Sequence, residues 1–192
     1  MKRRWIGTVA VLLAAAPVRA ETAREFVEAR YGDLQGLVAR IPQKEALQAE
    51  IRKVMDTFVD YEELSRRTLG SHWDALKPKE RKEFQEEFRK MVQRSYVKRF
   101  DPGKSFTIEY GDMTTGEDGS VAVNSTIRSG RSEARVDYVL QRKKGSWWAF
   151  DVVIDEVSMV RNYRKQFHDI LQKEGFAGLM DRLRKKNARA QE

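Results

Sequence analysis

Residues 147–167 read WWAFDVVIDEVSMVRNYRKQF and join two kinds of secondary structure without an intervening loop. The first half is apolar at consecutive positions, which predicts a strand covered on both faces. From Ser158 onward the apolar residues are spaced as in an amphipathic helix. A strand covered on both faces needs other elements on each side of it. The rest of the chain must therefore supply that cover.

Three runs before this stretch alternate apolar and polar residues, which predicts three more strands. They lie at 106–110, 121–127 and 134–140. Short polar turns with glycine separate them, and this spacing is typical of an antiparallel meander. Helical periodicity precedes the strands and resumes after them, with Gly175 as a break. We predict an α+β fold, a four-stranded antiparallel sheet covered by about six or seven helices.

The first 20 residues have the pattern of a cleaved secretory signal peptide. A basic start at 2–4 leads into an apolar run at 5–16, and 18–20 resembles a small-residue cleavage site. The apolar run is shorter than the roughly 20 residues that span a bilayer. The prediction is a cleaved signal peptide at 1–20, and therefore export, followed by a single domain at 21–192.

The charge and the cysteine count exclude several classes of protein. Without the four basic residues of the predicted signal peptide, the remaining 172 residues carry a net charge of +4. This mild charge does not indicate a nucleic-acid binder, which usually has a concentrated basic face. The chain has no cysteine, which excludes disulfides, thiolate metal sites and a cysteine nucleophile. No metal and no cofactor is predicted.

The polar residues provide only weak candidates for catalysis. Common catalytic and nucleotide-binding motifs do not occur in the sequence. Asp151 and Asp155 lie on one face of the predicted fourth strand, where a carboxylate could act as a general base. We interpret both as structural, because no companion acid or oxyanion donor follows from their spacing. His72 and His168 are interpreted as surface or hydrogen-bonded residues.

The apolar residues of the predicted sheet and helices are more informative. Those expected to face each other between the sheet and the long helices form either an ordinary packed core or the wall of a cavity. Composition does not separate these two possibilities. The residues are Phe84, Phe88, Met91, Val92, Tyr96, Ala134, Val136, Tyr138, Leu140, Val152, Ile154, Val157, Met159 and Phe167.

Three blocks of the sequence resemble one known family, the MlaC-type periplasmic phospholipid carriers, also called the toluene-tolerance auxiliary family. The resemblance covers about 130 residues of the chain after residue 20. The first block consists of Trp147, Asp151-Val152-Val153, Val157-Ser158-Met159-Val160, Asn162-Tyr163-Arg164 and Gln166-Phe167. The second consists of Phe58-Val59-Asp60, Leu64, Leu69-Gly70 and Trp73. The third consists of Pro78, Arg81, Phe84, Phe88 and Tyr96.

This resemblance implies a carrier located in the periplasm, and not an enzyme. The implied fold is a nuclear-transport-factor-2-like cone whose apolar cavity holds the acyl chains of a glycerophospholipid, with the headgroup outside. The fourteen apolar residues above would then bind lipid. The implied carrier is a monomer that exchanges lipid between an outer-membrane lipoprotein complex and an inner-membrane ABC transporter with an MCE-domain subunit.

Basic residues near the C-terminal end are candidates for headgroup or partner contacts. Arg161, Arg164 and Lys165 begin the last long helix and are predicted to contact the phosphate or a partner. The basic residues between 182 and 189 are expected to meet anionic lipid or acidic partners, or to complement the helix dipole.

One position departs from the family pattern, and three other functions stay open. Glu156 stands where many relatives carry glycine, which often marks a bulge or a positive φ. We expect a bulge near Asp155-Glu156. Ile154 and Val157 would face opposite sides of a regular strand, and they share the cavity side only if a bulge inserts one extra residue between them. The alternatives are a carrier of hopanoid or another lipid, a small-molecule enzyme on a cone-like fold that uses Asp151, and an interaction module with a filled core.

Overall fold

The computed structural model describes residues 21–189, so the predicted signal peptide lies outside the described residues. Five helices come first: α1 (Ala23–Arg40), α2 (Lys44–Phe58), α3 (Tyr61–Leu69), α4 (Ser71–Ala75) and α5 (Pro78–Val97). The strands follow: β1 (Thr107–Thr115), β2 (Val121–Ser129), β3 (Ser132–Lys143), β4 (Ser146–Ile154) and β5 (Val157–Ser158). The last element is α6 (Met159–Ala188).

Side chains at the helix ends explain where several helices begin. Thr22 caps α1 by accepting a 3.1 Å hydrogen bond from the Glu25 backbone N–H. Asp60 caps α3 in the same way, from the N–H of Glu63 at 3.0 Å. Such caps satisfy backbone donors that have no partner in the first helical turn. Within α6, Gly175 has a φ of 65° and kinks the helix, at the break predicted from the sequence.

The strands form one antiparallel sheet in the order β1-β2-β3-β4-β5. This confirms the predicted α+β fold, in which four long strands form a meander. The two-residue β5 is an addition to the predicted sheet. It exists because the chain reverses direction after β4 and pairs Val157 with Ile154.

The segment between β4 and β5 is a tight turn and not a bulge. Asp155 and Glu156 have φ angles of 45° and 68°, and two consecutive left-handed residues are typical of a type I′ hairpin. The predicted bulge at this position is wrong, because such a turn reverses the chain whereas a bulge only adds a residue to one strand. The register of the sheet shifts earlier, around Phe150, where Val139 pairs with Asp151 and Leu140 pairs with Ala149.

The buried apolar residues form two clusters, and helices α1 and α2 contribute to both. The larger cluster packs α3, α5 and α6 against the sheet, and its aromatic centre places the rings of Phe88 and Phe167 5.2 Å apart. The smaller cluster joins α1 to α2 and to the end of α5. Tyr31 and Met55 border both clusters. Residues of both clusters line the cavity described next.

Candidate functional site

A cavity of about 520 Å³ lies between the inner face of the sheet and helices α1, α2 and α5. This volume is within the range of roughly 300–1,000 Å³ that is usual for small-molecule sites. Its wall is mainly apolar. The apolar lining residues are Leu34, Ile51, Val54, Met55, Phe58, Val59, Val92, Phe100, Phe106, Ile127, Ala134, Val136, Val152, Ile154 and Met159.

Strand alternation provides the sheet side of the cavity. Side chains on a strand point to opposite faces in turn, so Ala134, Val136 and Tyr138 of β3 share one face and all line the cavity. The register then places Ile154 beside Val136 and Val152 beside Tyr138. A continuous apolar surface across β3 and β4 follows from this pairing.

Helical periodicity provides the opposite wall. Ile51, Val54, Met55 and Phe58 of α2 line the cavity, and their spacing places them on one face of the helix. Val92 and Tyr96 of α5 do the same, as do Tyr31 and Leu34 of α1. Three helices therefore enclose the space that the sheet leaves open.

The mouth of the cavity is basic. It lies where the segment after α5 meets the β2–β3 turn, and it includes Lys98, Arg99 and Lys104. The acidic residues of the mouth are paired with cations that do not line it: Asp101 with Lys44 at 2.8 Å, and Glu133 with Arg128 at 2.6 Å. Lys98, Arg99 and Lys104 are exposed, so the rim is positively charged.

The inner end of the cavity is aromatic and uncharged. The hydroxyl groups of Tyr31 and Tyr138 hydrogen-bond to each other, and the ring of Phe58 packs edge-on against Tyr138 with centroids 5.8 Å apart. Burial raises the pKa of Tyr31 to about 12 and raises that of Tyr138 well above its usual value. Both phenols are therefore neutral at physiological pH.

Eight of the fourteen apolar residues predicted to bind a ligand line this cavity, and six do not. Phe84, Phe88, Met91, Leu140 and Phe167 are buried in the core. Val157 is 58% exposed beside the β4–β5 turn. The eight that line the cavity are Val92, Tyr96, Ala134, Val136, Tyr138, Val152, Ile154 and Met159.

Helices α1 and α2 both contribute to the cavity, although no cavity residue on either was predicted from the sequence. The apolar stripe of α2 is regular, but a stripe that faces a cavity has the same periodicity as one that faces a packed core. The mouth cations carry no sequence signal either, because they are close to the cavity only through the path of the chain after α5.

The basic residues predicted for headgroup or partner contact lie away from the mouth. Arg161, Arg164 and Lys165 are exposed on α6. Arg164 donates a 3.0 Å hydrogen bond to the Arg67 carbonyl and so ties α6 to α3. Farther along α6, Arg182, Lys185, Lys186 and Arg189 border a second groove, on the side of α5 that faces α6.

The polar residues considered for catalysis have structural partners. Asp151 is 8% exposed and accepts hydrogen bonds from backbone N–H groups and from Ser158, as the structural interpretation predicts. Asp155 is exposed and accepts a 3.0 Å hydrogen bond from the Arg135 N–H. The rings of His72 and His168 lie 6.4 Å apart between α4 and α6.

Residues 21–189 contain neither a metal-binding cluster nor a helix that could span a membrane. In that part of the chain, no group of three or more His, Cys, Asp or Glu side chains is arranged to hold a metal ion. None of the helices there is both long enough and apolar enough to cross a membrane.

Two comparisons place this architecture among known proteins. The sequence profile of the family described as MlaC protein matches residues 34–185. A solved structure of a phospholipid-binding protein from Ralstonia solanacearum, in complex with a phospholipid, superposes with a TM-score of 0.81 at 20% sequence identity. The match covers 90% of this chain and 100% of that chain. At this identity the likeness establishes the fold.

Proposed function

The chain belongs to the MlaC protein family, and from this premise we propose that it is a periplasmic carrier of glycerophospholipids. The family consists of non-enzymatic lipid carriers. The observation that carries the proposal is the cavity between the sheet and three helices, which is apolar along its walls and basic at its mouth. The acyl chains would occupy the cavity and the headgroup would stay at the mouth.

The physical demands of lipid transport match this wall. Two acyl chains of about 16 carbons exposed to water would cost roughly 25 kcal/mol, at about 0.8 kcal/mol per methylene. A carrier has to remove most of that cost, so its cavity must be free of unpaired polar groups. The polar groups at the inner end are the hydroxyls of Tyr31 and Tyr138, and each is the hydrogen-bond partner of the other.

The basic rim suits a phosphate headgroup. Lys98, Arg99 and Lys104 surround the mouth, and ammonium and guanidinium groups form strong hydrogen bonds with phosphate oxygens. This supports the rim, rather than α6, as the place where the headgroup lies. Arg161, Arg164 and Lys165 remain candidates for contact with a partner protein, because they are exposed on a different surface.

The proposal also includes a route of transport between the two membranes. The carrier would exchange lipid between an outer-membrane lipoprotein complex and an inner-membrane ABC transporter with an MCE-domain subunit. The pattern at residues 1–20 supports export. In this proposal the exported part, 21–192, is a single domain and works as a monomer. Membership of a periplasmic family agrees with this location.

The test is to identify what the protein carries. The chain with its own N-terminal segment is expressed in a Gram-negative host and purified from the periplasm without detergent. It is then denatured in organic solvent, and the extract is analysed by mass spectrometry. The expected result is a two-chain phospholipid at close to one molecule per protein. A hopanoid in its place would support the alternative ligand, and a lipid-free extract would overturn the proposal.

A further inference from the structure

The cavity ends at the same level on two neighbouring strands. Tyr138 of β3 and Val152 of β4 are paired, and both line the cavity. The next inward-facing pair along these strands, Leu140 and Ala149, is almost fully buried in the larger core cluster. The cavity therefore stops at Tyr138, and solid core lies beyond it.

An aromatic group forms this end, which we call the aromatic floor and define as Tyr31, Phe58 and Tyr138. The rings of Tyr31 and Phe58 both pack edge-on against Tyr138, with centroids 5.5 and 5.8 Å from it. Behind the floor, Phe26 stacks on Phe58 at 5.7 Å. The hydrogen bond between the two hydroxyl groups joins Tyr31 of α1 to Tyr138 of β3. The floor is therefore held in place by a helix and by a strand.

The distance from the mouth to the floor corresponds to a definite chain length. Ser132 lines the mouth and Tyr138 lies six residues farther along β3, which is about 20 Å at roughly 3.3 Å per residue. Each methylene of an extended chain advances about 1.25 Å, the projection of a carbon–carbon bond of about 1.5 Å. About 16 carbons therefore reach from the mouth to the floor.

We propose that the aromatic floor sets the length of the acyl chains that this protein carries, with an upper limit near 16 carbons for an extended chain. The inference rests on the proposed function. A longer chain would leave methylenes outside the mouth, and each methylene left in water weakens binding about fourfold. Selection by length then follows from a fixed floor and an open mouth.

Two kinds of variant test the floor in opposite directions. Tyr138→Ala opens the end of the cavity toward Leu140, which lies two residues or about 7 Å farther along β3, so the preferred chain should lengthen by up to roughly five methylenes. Tyr31→Ala removes the ring that packs against Tyr138 and should shift the preference in the same direction. Val136→Phe adds a ring to the cavity wall two residues above Tyr138, and should shorten the preferred chain by a similar amount. Tyr110→Ala is the matched control, because Tyr110 is a half-buried tyrosine of β1 that does not line the cavity.

The measurement is competitive loading. Each protein, with folding checked by circular dichroism, is incubated with vesicles of phosphatidylglycerol that carry chains of 14, 16, 18 and 20 carbons in equal amounts. Mass spectrometry of the re-purified protein gives the chain-length distribution. The wild type and Tyr110→Ala should share one distribution, the floor variants should shift toward longer chains, and Val136→Phe should shift toward shorter ones.

The outcomes separate the inference from the function it rests on. If Tyr138→Ala fails to fold, Tyr31→Ala and Val136→Phe still test the effect on chain length. Tyr31 is only partly buried, and the side chain at position 136 faces the cavity, which has room for a ring. If the variants take up lipid with the wild-type distribution of chain lengths, the aromatic floor does not set the chain length, although the protein still carries lipid. A wild type that takes up no lipid from any vesicle would overturn both.

Discussion

Ser158 donates a 2.5 Å hydrogen bond from its Oγ to Asp151 Oδ2, across the hairpin that joins β4 to α6. The other carboxylate oxygen, Oδ1, accepts from the backbone N–H groups of Val152 and Val160 at 2.9 and 3.0 Å. Ser158 also caps α6 by accepting from the N–H of Arg161. Asp151 therefore anchors the first turn of α6, where the helix dipole favours a negative charge.

Replacing Asp151 with asparagine should destabilise the protein without removing an activity. The amide oxygen can replace Oδ1, but an NH₂ at the position of Oδ2 would face the Ser158 hydroxyl, which donates to Asp151 in the wild type. Two donors would then meet with one acceptor between them, so a buried hydrogen would be left unpaired. The expected loss is about 2–3 kcal/mol in the free energy of unfolding, measured by urea denaturation. Asp155→Asn is the control, because Asp155 is exposed, and it should cost less than about 1 kcal/mol. Equal stability of the Asp151 and Asp155 variants would argue against the anchor.

A polar substitution at the cavity wall should remove lipid, and the same substitution nearby should not. Ala134 lines the cavity on β3, so Ala134→Gln places an amide where acyl chains would lie and should lower the lipid-to-protein ratio at least about tenfold. Val157→Gln is the matched control, because Val157 is 58% exposed. Mass spectrometry of the extracts measures both ratios. Retention of the wild-type lipid content in Ala134→Gln would contradict the assignment of the cavity.

Glycine at position 156 should stabilise the β4–β5 turn. Glu156 has a φ of 68°, and a left-handed conformation costs an ordinary L-residue roughly 1–2 kcal/mol. The greater freedom of glycine in the unfolded chain offsets part of this gain, so Glu156→Gly should add about 0.5–1 kcal/mol to the free energy of unfolding. Glu156→Ala keeps the Cβ atom and should not increase the free energy of unfolding. The thermal midpoints of the two variants decide the point, and a lower midpoint for glycine would refute it.

The six tyrosines of the chain should ionise together, and only at a pH well above 10. Burial raises the pKa of each of them, to about 12 for Tyr31 and Tyr96. A raised pKa in the folded state stabilises the fold below the ordinary value near 10, and this contribution is lost as the pH rises from there through about 12. Absorbance of tyrosinate at 295 nm should therefore rise in step with the loss of the circular dichroism signal. Ionisation of several tyrosines at pH 10 in a folded protein would contradict this prediction.

Neutral residues at the rim should slow the uptake of anionic lipid. Replacing Lys98, Arg99 and Lys104 with glutamine removes three exposed cations from the mouth. Uptake of phosphatidylglycerol from vesicles should slow several-fold, and its dependence on salt should weaken, because exposed charges act over a Debye length of about 8 Å at physiological ionic strength. Arg161→Gln with Lys165→Gln changes a different exposed surface and should leave uptake from vesicles unchanged. Equal rates for both sets of variants would place the headgroup elsewhere.

The amino-acid sequence was sufficient for most of the secondary structure, apart from β5 and the turn before it, and for one wall of the cavity. Alternation along β3 predicts that Ala134, Val136 and Tyr138 share a face, because the side-chain period of a strand is two. The break at Gly175 was also predictable, since helix ends depend on local residues. These features need only neighbouring parts of the chain.

Only the tertiary structure separated the cavity from the core. Phe88 and Val92 lie on the same face of α5, yet Phe88 packs against Phe167 of α6 and Val92 lines the cavity. Both are almost fully buried, so the hydrophobic periodicity of the sequence does not distinguish between them. The difference depends on which helix covers each position, and on the chain bringing Lys98 to Lys104 beside the β2–β3 turn. Such contacts join residues far apart in sequence, and no local pattern encodes them.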